Sequence, residues 1–314
     1  MSFAHNVISW QRQHGRRNLP WQGTRDPYRI WLSEVMLQQT QVSAVIPYYE
    51  RFLTRYPTVK ALAAASEDEV LQLWSGLGYY ARGRNLHKAA VEIYRNGFPR
   101  TAETIAQLPG IGRSTAAAIA VFAYGERAAI LDGNVKRVLS RRYGVHDKDL
   151  WPLAERLLPK CDLETYTQGL MDLGATVCTR VPECGTCPVK ARCVARKTGR
   201  IAELPAPRAK KALPWRQVSW FVFIHQGKIL LERRPSSGIW GGLWCFPERR
   251  PSRCRVTRKL PVIEHGFTHF RLRIQPLLCS GGPAGLGLGW IWTTPVARRS
   301  RRLSEICYTT CRES

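Results

Sequence analysis

The sequence predicts an α+β protein with two domains, an all-helical domain first and a smaller domain with β-strands after it. Apolar residues recur at helical spacing from Phe3 to about residue 195. The stretch 196–214 is basic and contains prolines, which is typical of a linker. Beyond Trp215, apolar and aromatic residues come in short, strand-like runs. We therefore place the domains at 1–195 and 215–314, joined by a linker at 196–214.

Composition limits the classes of function. The chain has 314 residues, 44% of them hydrophobic, which suffices for two packed cores. Its net charge is +25, from 48 Lys and Arg against 23 Asp and Glu. Such an excess predicts a polyanionic partner, most simply nucleic acid, although a generally basic surface would give the same count. No apolar run approaches the ~20 residues that span a membrane, and the first residues lack a signal-peptide core. We expect a soluble, intracellular protein without a membrane partner.

The first elements are a helix over Phe3–Gln13, a loop over Gly15–Pro27, and a helical stretch over Tyr28–Arg55 broken near Pro47. In the loop, Trp21 is either a wedge for a nucleic-acid base or an anchor in the core.

Glu34 is a candidate general acid. It lies in the helical stretch beside Trp31, Val35 and Met36. A carboxyl group among such neighbours is partly desolvated, which raises its pKa and lets it hold a proton near neutral pH. The alternative is a glutamate on the solvent face of an amphipathic helix.

The next elements are a helical run from Thr58 through Trp74, a glycine turn at 76–79, and a helix over Asn85–Arg95. Tyr79 closes the turn and is followed by arginines. Aromatic rings beside arginines suit stacking on bases and contacts with phosphates. Ordinary packing of the tyrosine is the competing interpretation.

The central motif is a helix-hairpin-helix element at about 105–124. Gly110 and Gly112 form a tight turn before an alanine-rich helix that begins at Ser114. Backbone amides that lead into a helix N-terminus can bind a phosphate group. Asp132 then opens another helix, as a functional carboxylate or simply as an N-cap.

Four cysteines within sixteen residues follow two short helices, Trp151–Leu158 and Glu164–Ala175. They are Cys178, Cys184, Cys187 and Cys193. In a chain without a secretion signal, closely spaced cysteines indicate a metal site rather than disulfides. Zinc and an iron–sulfur cluster both accept four thiolates.

The second domain is predicted to contain strands separated by a loop at 238–244 and a glycine-rich stretch at 280–289. The strands are Val218–His225, Lys228–Arg233, Phe267–Leu278 and Trp290–Thr293.

Together, these motifs resemble the adenine DNA glycosylases of the MutY type, members of the helix-hairpin-helix superfamily of DNA glycosylases. The resemblance spans nearly the whole chain, dense from Leu19 to Cys193 and looser beyond. It implies an all-α glycosylase domain with a cluster loop at 178–193, followed by a smaller α+β Nudix-like domain that recognises 8-oxoguanine and is shortened here. It also implies an enzyme that removes adenine mispaired with 8-oxoguanine or guanine.

The resemblance assigns roles to the first group of site residues. Glu34 matches the acid that protonates adenine and then activates water. Asp132 matches the carboxylate that stabilises the sugar cation, and Asn134 supports that site. Gln39 and Tyr79 match residues that enter the duplex near 8-oxoguanine. The chemistry agrees, because adenine leaves readily only after a ring nitrogen is protonated, and a carboxylate can stabilise the oxocarbenium ion that remains.

Further roles follow in the same way. The helix-hairpin-helix residues Gly110, Gly112 and Ser114 are expected to contact DNA. Gln168 falls where the family contacts the flipped adenine, and Thr268 in Phe-Thr-His-Phe falls where it recognises 8-oxoguanine. Strand-cutting relatives such as endonuclease III carry a lysine where Ser114 stands, so the chain is predicted to release the base without cutting the strand.

Two departures from the family pattern concern the cofactor and the second domain. The resemblance assigns the four cysteines to a [4Fe–4S] cluster, although five residues rather than six separate Cys178 from Cys184. The second domain lacks the acidic Nudix box, so we expect no nucleotide hydrolysis.

The expected partner is double-stranded DNA with an A·8-oxoguanine or A·G mispair, bound by a monomer in the bacterial cytoplasm at the nucleoid. Two alternatives stay open. One is an endonuclease III-like glycosylase for other mismatched or oxidised bases, and the other is a mismatch-binding protein without catalysis. The serine at 114 argues against the first, and the intact carboxylates Glu34 and Asp132 argue against the second.

Overall fold

The computed structural model describes residues 2–206, 212–235, 238–251, 254–267, 269–281 and 290–293. The chain divides into two units, Met1–Arg208 and Ala209–Ser314, and the division lies inside the predicted linker.

The first unit is helical. Its α-helices in the described residues are α1 (Phe3–His14), α2 (Pro27–Leu37), α3 (Val42–Arg55), α4 (Val59–Ala64), α5 (Glu67–Trp74), α6 (Tyr80–Asn96), α7 (Ala102–Ile105), α8 (Arg113–Tyr124), α9 (Gly133–Tyr143), α10 (Asp147–Arg156), α11 (Leu163–Asp172) and α12 (Val194–Lys197). Many begin at a side chain that accepts a hydrogen bond from a free N–H group of the first turn, as short polar residues do best. These N-caps are Ser2, Asp26, Thr58, Ser66, Thr101 and Asp132.

The predicted break near Pro47 is wrong, because Pro47 lies inside α3 and the chain breaks instead between Leu37 and Val42. Proline removes one backbone donor from a helix. In α3 the burial of Val45, Tyr49 and Phe52 outweighs that loss. The predicted run 58–74 is likewise two helices, since Ser66 caps α5 in a capping box with its third residue.

Helix α8 lies between the two hydrophobic cores of the first unit. Ile119 and Ala120 pack in the core built around α2 to α6, whereas Ala117 and Ala118 pack in the core formed with α1 and α9 to α11. A helix that is apolar on all sides is suited to such a buried position. The motif residues at its N-terminus are therefore held by both cores.

The second unit is a sheet in its described part, with β1 (Trp215–His225), β2 (Lys228–Arg233), β3 (Trp244–Cys245), β4 (Arg255–Lys259), β5 (Ile263–Gly266), β6 (Arg271–Ser280) and β7 (Trp290–Thr293). The strand order is β3-β2-β1-β6-β4, with β5 paired to β6 and β7 to β2. Strand β1 runs parallel to β6, and the other pairs are antiparallel. Apolar side chains pack on both faces of this sheet. Thr268 lies outside the described residues.

Among the helices of the described residues, none combines the length and apolar character needed to cross a membrane.

Candidate active site

A cavity of about 530 Å³ opens in the first unit, within the size range of pockets that hold small molecules. Side chains from α1, α2, α8, α11 and the loop after α1 line it. They include Arg16, Trp21, Ile30, Glu34, Phe122 and Gln168. The cavity thus brings together the predicted acid and the predicted adenine contact. Trp21 is both a core residue, packed edge-on against Tyr49, and part of the cavity wall.

Glu34 has the electrostatic environment of a proton donor. The burial of its carboxyl group and, to a smaller degree, the neighbouring carboxylate of Asp132 raise the pKa of Glu34 to about 8. Trp31, Val35 and Met36 around it are buried, as the sequence led us to expect. Glu34 therefore holds a proton at neutral pH and can give it to a base inside the cavity.

Asp132 is both the N-cap of α9 and the electrostatic neighbour of Glu34. Its Oδ1 accepts a hydrogen bond of 2.7 Å from the N–H of Val135. Burial raises the pKa of Asp132, while backbone N–H groups and the guanidinium of Arg137 act to lower it. Like charges compete in such a pair, so one carboxyl group holds a proton while the other stays available as an anion.

Asn134 joins the active site to the cysteine loop through Arg137. The guanidinium of Arg137 donates to Oδ1 of Asn134 at 2.7 Å, to the carbonyl of Gly174 at 2.7 Å and to the carbonyl of Cys178 at 2.6 Å. A Cβ at Gly174 would lie 2.5 Å from the Cβ of Asn134, so only glycine permits this approach. Gly174 belongs to a π-helical turn, Leu173–Val177, of the kind that often occurs at functional sites.

Each of the two residues predicted to enter the duplex has a strained backbone conformation. Gln39 has a φ of 56° and Tyr79 a φ of 50°, both in the left-handed region that L-residues seldom adopt. Both are exposed. Backbone strain of this kind occurs preferentially at functional sites.

Arg82 holds the segments that carry both strained residues. Its guanidinium donates to the carbonyl of Met36 at 2.8 Å and to Oγ1 of Thr40 at 2.9 Å, next to Gln39. It also lies 5.4 Å from the ring of Tyr79. The sequence indicated that arginines after Tyr79 contact phosphates, whereas this one is half-buried and binds the protein backbone. Its structural role had no signal in the sequence, since it depends on contacts with residues about forty positions away.

The two glycines of the helix-hairpin-helix turn have different steric surroundings. Gly110 has a φ of 79°, and a Cβ there would lie 2.8 Å from the Cβ of Asn85. Gly112 has an extended φ of −91° and open space where a Cβ would be. No side chain caps α8, so the N–H groups of its first turn have no capping acceptor and can bind a phosphate.

Ser114, the predicted counterpart of the lysine in strand-cutting relatives, carries no charge. Its Oγ accepts a hydrogen bond of 2.9 Å from the N–H of Leu131, directly before Asp132. The hydroxyl therefore helps to fix the entry to α9.

All four predicted metal-ligating cysteines line one pocket, and none forms a disulfide. Burial raises the pKa of Cys178, and it raises that of Cys187 to about 11. Arg141 organises the loop. Its guanidinium donates to the carbonyl of Thr179 at 2.6 Å and to Sγ of Cys178 at 3.6 Å, and its carbonyl accepts from Sγ of Cys193.

The four thiols that line this pocket are a donor set for a metal group, since zinc and an iron–sulfur cluster both accept four thiolates. The loop is closed despite the shortened spacing, by a 3.0 Å hydrogen bond from the N–H of Glu183 to the carbonyl of Val177.

Comparisons with known proteins agree with this architecture. Residues 32–161 match the model of the HhH-GPD superfamily of base excision DNA repair proteins, and residues 219–305 match a NUDIX domain model. The chain is 38% identical over 301 residues to the adenine DNA glycosylase of Buchnera aphidicola subsp. Acyrthosiphon pisum, covering 88% of this chain and 86% of that protein. It is also 38% identical to the human adenine DNA glycosylase, covering 87% of this chain and 66% of that protein.

Solved structures resemble the helical unit. A thermostable thymine-DNA glycosylase matches with a TM-score of 0.58 and 30% identity, covering 62% of this chain and 95% of that one. A non-covalent endonuclease III–DNA complex matches with a TM-score of 0.54 at 23% identity, covering 62% and 94%, which shows the shared fold.

The fold and the cavity therefore define an enzyme of base excision DNA repair with a helix-hairpin-helix glycosylase domain. Within that class, the chain belongs to the adenine DNA glycosylase family. The resemblance and the fold class predicted from the sequence are confirmed.

Proposed function

We propose that this chain releases adenine from an A·8-oxoguanine or A·G mispair in duplex DNA and leaves an abasic site in an uncut strand. The main support for this proposal is the cavity that Glu34 and Gln168 both line. The carboxylate of Asp132 is close enough to Glu34 to raise its pKa.

In the proposed reaction, adenine leaves the base stack and enters the cavity, which costs a few kcal/mol of unstacking and pairing energy. Glu34 donates its proton to a ring nitrogen, and the electron pair of the N-glycosidic bond moves to the protonated base. The Asp132 carboxylate stabilises the positive charge that develops on the sugar. Water then adds to the anomeric carbon, and ionised Glu34 takes the proton that the water loses.

Residues outside the cavity support the opened duplex. Gln39 and Tyr79 are exposed and pre-set in strained conformations, so we assign to them the space that the flipped base leaves. The uncapped N-terminus of α8 with Gly112 binds a phosphate of the strand. Thr268 of the second unit is assigned to recognition of 8-oxoguanine.

The proposed cofactor is a [4Fe–4S] cluster held by Cys178, Cys184, Cys187 and Cys193. When bound, it supplies iron–thiolate bonds that tie the loop into one piece. Arg137 and Arg141 link that loop to α9, which begins at Asp132. We expect the protein to act as a monomer on the DNA of the nucleoid.

The test is single-turnover release of adenine from a duplex with one A·8-oxoguanine pair, with an A·G duplex alongside. We expect release by the wild type and a rate at least about 100-fold lower for Glu34→Gln, since general acid catalysis contributes this much. Borohydride should trap no covalent complex, because Ser114 offers no amine. Mispair binding without base release would overturn the proposal, and efficient borohydride trapping would indicate a strand-cutting enzyme.

A further inference from the structure

Asp172 is a buried carboxylate that the reaction proposed above does not use. It lies at the end of α11, and its side chain is 1% exposed. Its Oδ1 accepts from Nε and Nη2 of Arg16 at 2.7 and 2.6 Å, and its Oδ2 accepts from the N–H of Arg16 at 2.9 Å. A carboxylate paired in this way to a guanidinium is ionised and can only accept hydrogen bonds.

The same carboxylate oxygen also binds Gln168, one turn earlier on α11. Nε2 of Gln168 donates to Oδ1 of Asp172 at 2.9 Å. Because an ionised carboxylate cannot donate, the amide of Gln168 must turn its NH₂ group towards Asp172. In the opposite orientation the amide oxygen of Gln168 would face the carboxylate oxygen of Asp172, and neither atom could donate a hydrogen bond.

The amide oxygen of Gln168 is consequently left for the cavity. Gln168 is half-buried and lines the cavity together with Glu34 and Arg16. Within the described residues, no side chain or backbone group donates a hydrogen bond to its Oε1. The cavity therefore presents a proton donor on Glu34 and a fixed acceptor on Gln168.

This pair complements one edge of adenine. That edge carries the acceptor N7 beside the donor amine N6, whereas guanine carries the acceptors N7 and O6. Hypoxanthine likewise has an oxygen at C6. Protonated Glu34 can donate a hydrogen bond to N7 in all three bases. The amide oxygen of Gln168 can accept a hydrogen bond only from the 6-amino group of adenine.

We propose that Asp172 is a positioning residue that fixes the Gln168 amide with its oxygen towards the base, so that the site accepts a 6-aminopurine and rejects a 6-oxopurine. The proposal rests on the function proposed above. It gives a function to the buried carboxylate of Asp172, which is held in an ion pair by Arg16, a residue of the cavity wall.

The test compares release of adenine with release of hypoxanthine, each placed opposite 8-oxoguanine in the same duplex. Single-turnover rate constants of one preparation are used, so that any unfolded fraction cancels from the ratio. Asp172→Asn retains the volume but turns one acceptor into a donor, which lets the Gln168 amide take either orientation. We expect the adenine-to-hypoxanthine ratio to fall about 10-fold or more relative to wild type, the effect of one mismatched buried hydrogen bond.

Three further variants make the test specific. Gln168→Met should lower the ratio by a similar factor, and Asp172→Asn should lower it no further in the Gln168→Met background, because both changes act through one amide. Asp147→Asn, which breaks a surface ion pair with Lys136, should leave the ratio unchanged.

The outcomes separate the two proposals. An equal loss of adenine and hypoxanthine release in Asp172→Asn would show a merely structural role and overturn the inference. If Asp172→Asn does not fold, an unchanged ratio in Gln168→Met would overturn it instead. Absence of adenine release by the wild-type protein would contradict the proposed function itself.

Discussion

At the scale of single residues, the site depends on two carboxyl groups with different surroundings. The sequence around Glu34 was enough to predict desolvation, because Trp31, Val35 and Met36 are its neighbours along the helix. The effect of Asp132 on the pKa of Glu34 was not predictable, since α9 approaches α2 only in the folded chain. Asp172 had no signal either, because an aspartate near the end of a helix is ordinary until its partners are known.

The raised pKa of Glu34 predicts a stability effect. The folded state binds this proton more tightly than the unfolded state, so ionisation destabilises the fold progressively as the pH rises from about 4.5 to about 8. Glu34→Gln removes the penalty and should raise the Tm at pH 8 by roughly 5 °C, with little change at pH 4.5. Thermal denaturation followed by circular dichroism at both pH values measures this. The exposed Glu50→Gln on α3 is the control and should shift the Tm at neither pH; an equal shift by both variants would refute the explanation.

At the scale of elements, local signals predicted most helices, but tertiary contacts decided where some of them break. The predicted bounds of β2 and β7 agree with the structure because clear turn residues flank both strands. The interruption at Gln39 has no such marker. It depends on Arg82, which binds the end of α2 and Thr40 from a distant helix.

Arg82→Lys is expected to weaken discrimination of mispaired from fully paired duplex. A lysine retains the charge but cannot bond several acceptors in a plane while stacking on Tyr79. The ratio of the two affinities, measured by fluorescence anisotropy, should fall about 10-fold, equivalent to one or two lost hydrogen bonds. Arg95→Lys, in the last turn of the same helix α6, should leave it unchanged. An unaltered ratio in Arg82→Lys would mean that the strained segments hold their conformation without the guanidinium.

Arg137→Ala should impair both the cysteine loop and the active site. Three acceptors, on Asn134, Gly174 and Cys178, lose their donor, at about 1–3 kcal/mol for each group left buried and unpaired. We expect a lower Tm, lower iron content after purification and slower adenine release. Lys136→Ala on the same helix removes an ion pair with exposed Asp147, worth at most about 1 kcal/mol. Wild-type iron content and rate in Arg137→Ala would contradict the link between loop and site.

At the scale of the whole molecule, composition predicted the class of partner and the change in pattern after residue 195 predicted two units. The arrangement of strands could not be predicted, because the parallel pairing of β1 with β6 joins residues more than fifty positions apart. The apolar packing on both faces of that sheet does have a signal in the sequence, because the continuous apolar run Trp220–Phe223 is typical of a strand that is buried on both sides.

The net charge of +25 predicts a strong effect of salt on binding. If six or more phosphates are neutralised, affinity for duplex DNA should fall about 10³-fold between 50 and 200 mM salt. The rate of adenine release at saturating protein should change little, because at saturation the rate no longer depends on affinity. Affinity that is insensitive to salt would exclude phosphate contacts as the main source of binding.

The environment of Glu34 keeps its carboxyl group protonated at neutral pH, so that it can act as the acid. The pH dependence of single-turnover adenine release from pH 5.5 to 9.5, at saturating protein, tests this directly. We expect a rate constant that falls as Glu34 ionises at about pH 8 and then decreases about tenfold per pH unit. A rate that rises through pH 8, or one that already falls from pH 5.5 as a carboxyl group of ordinary pKa would require, would contradict it.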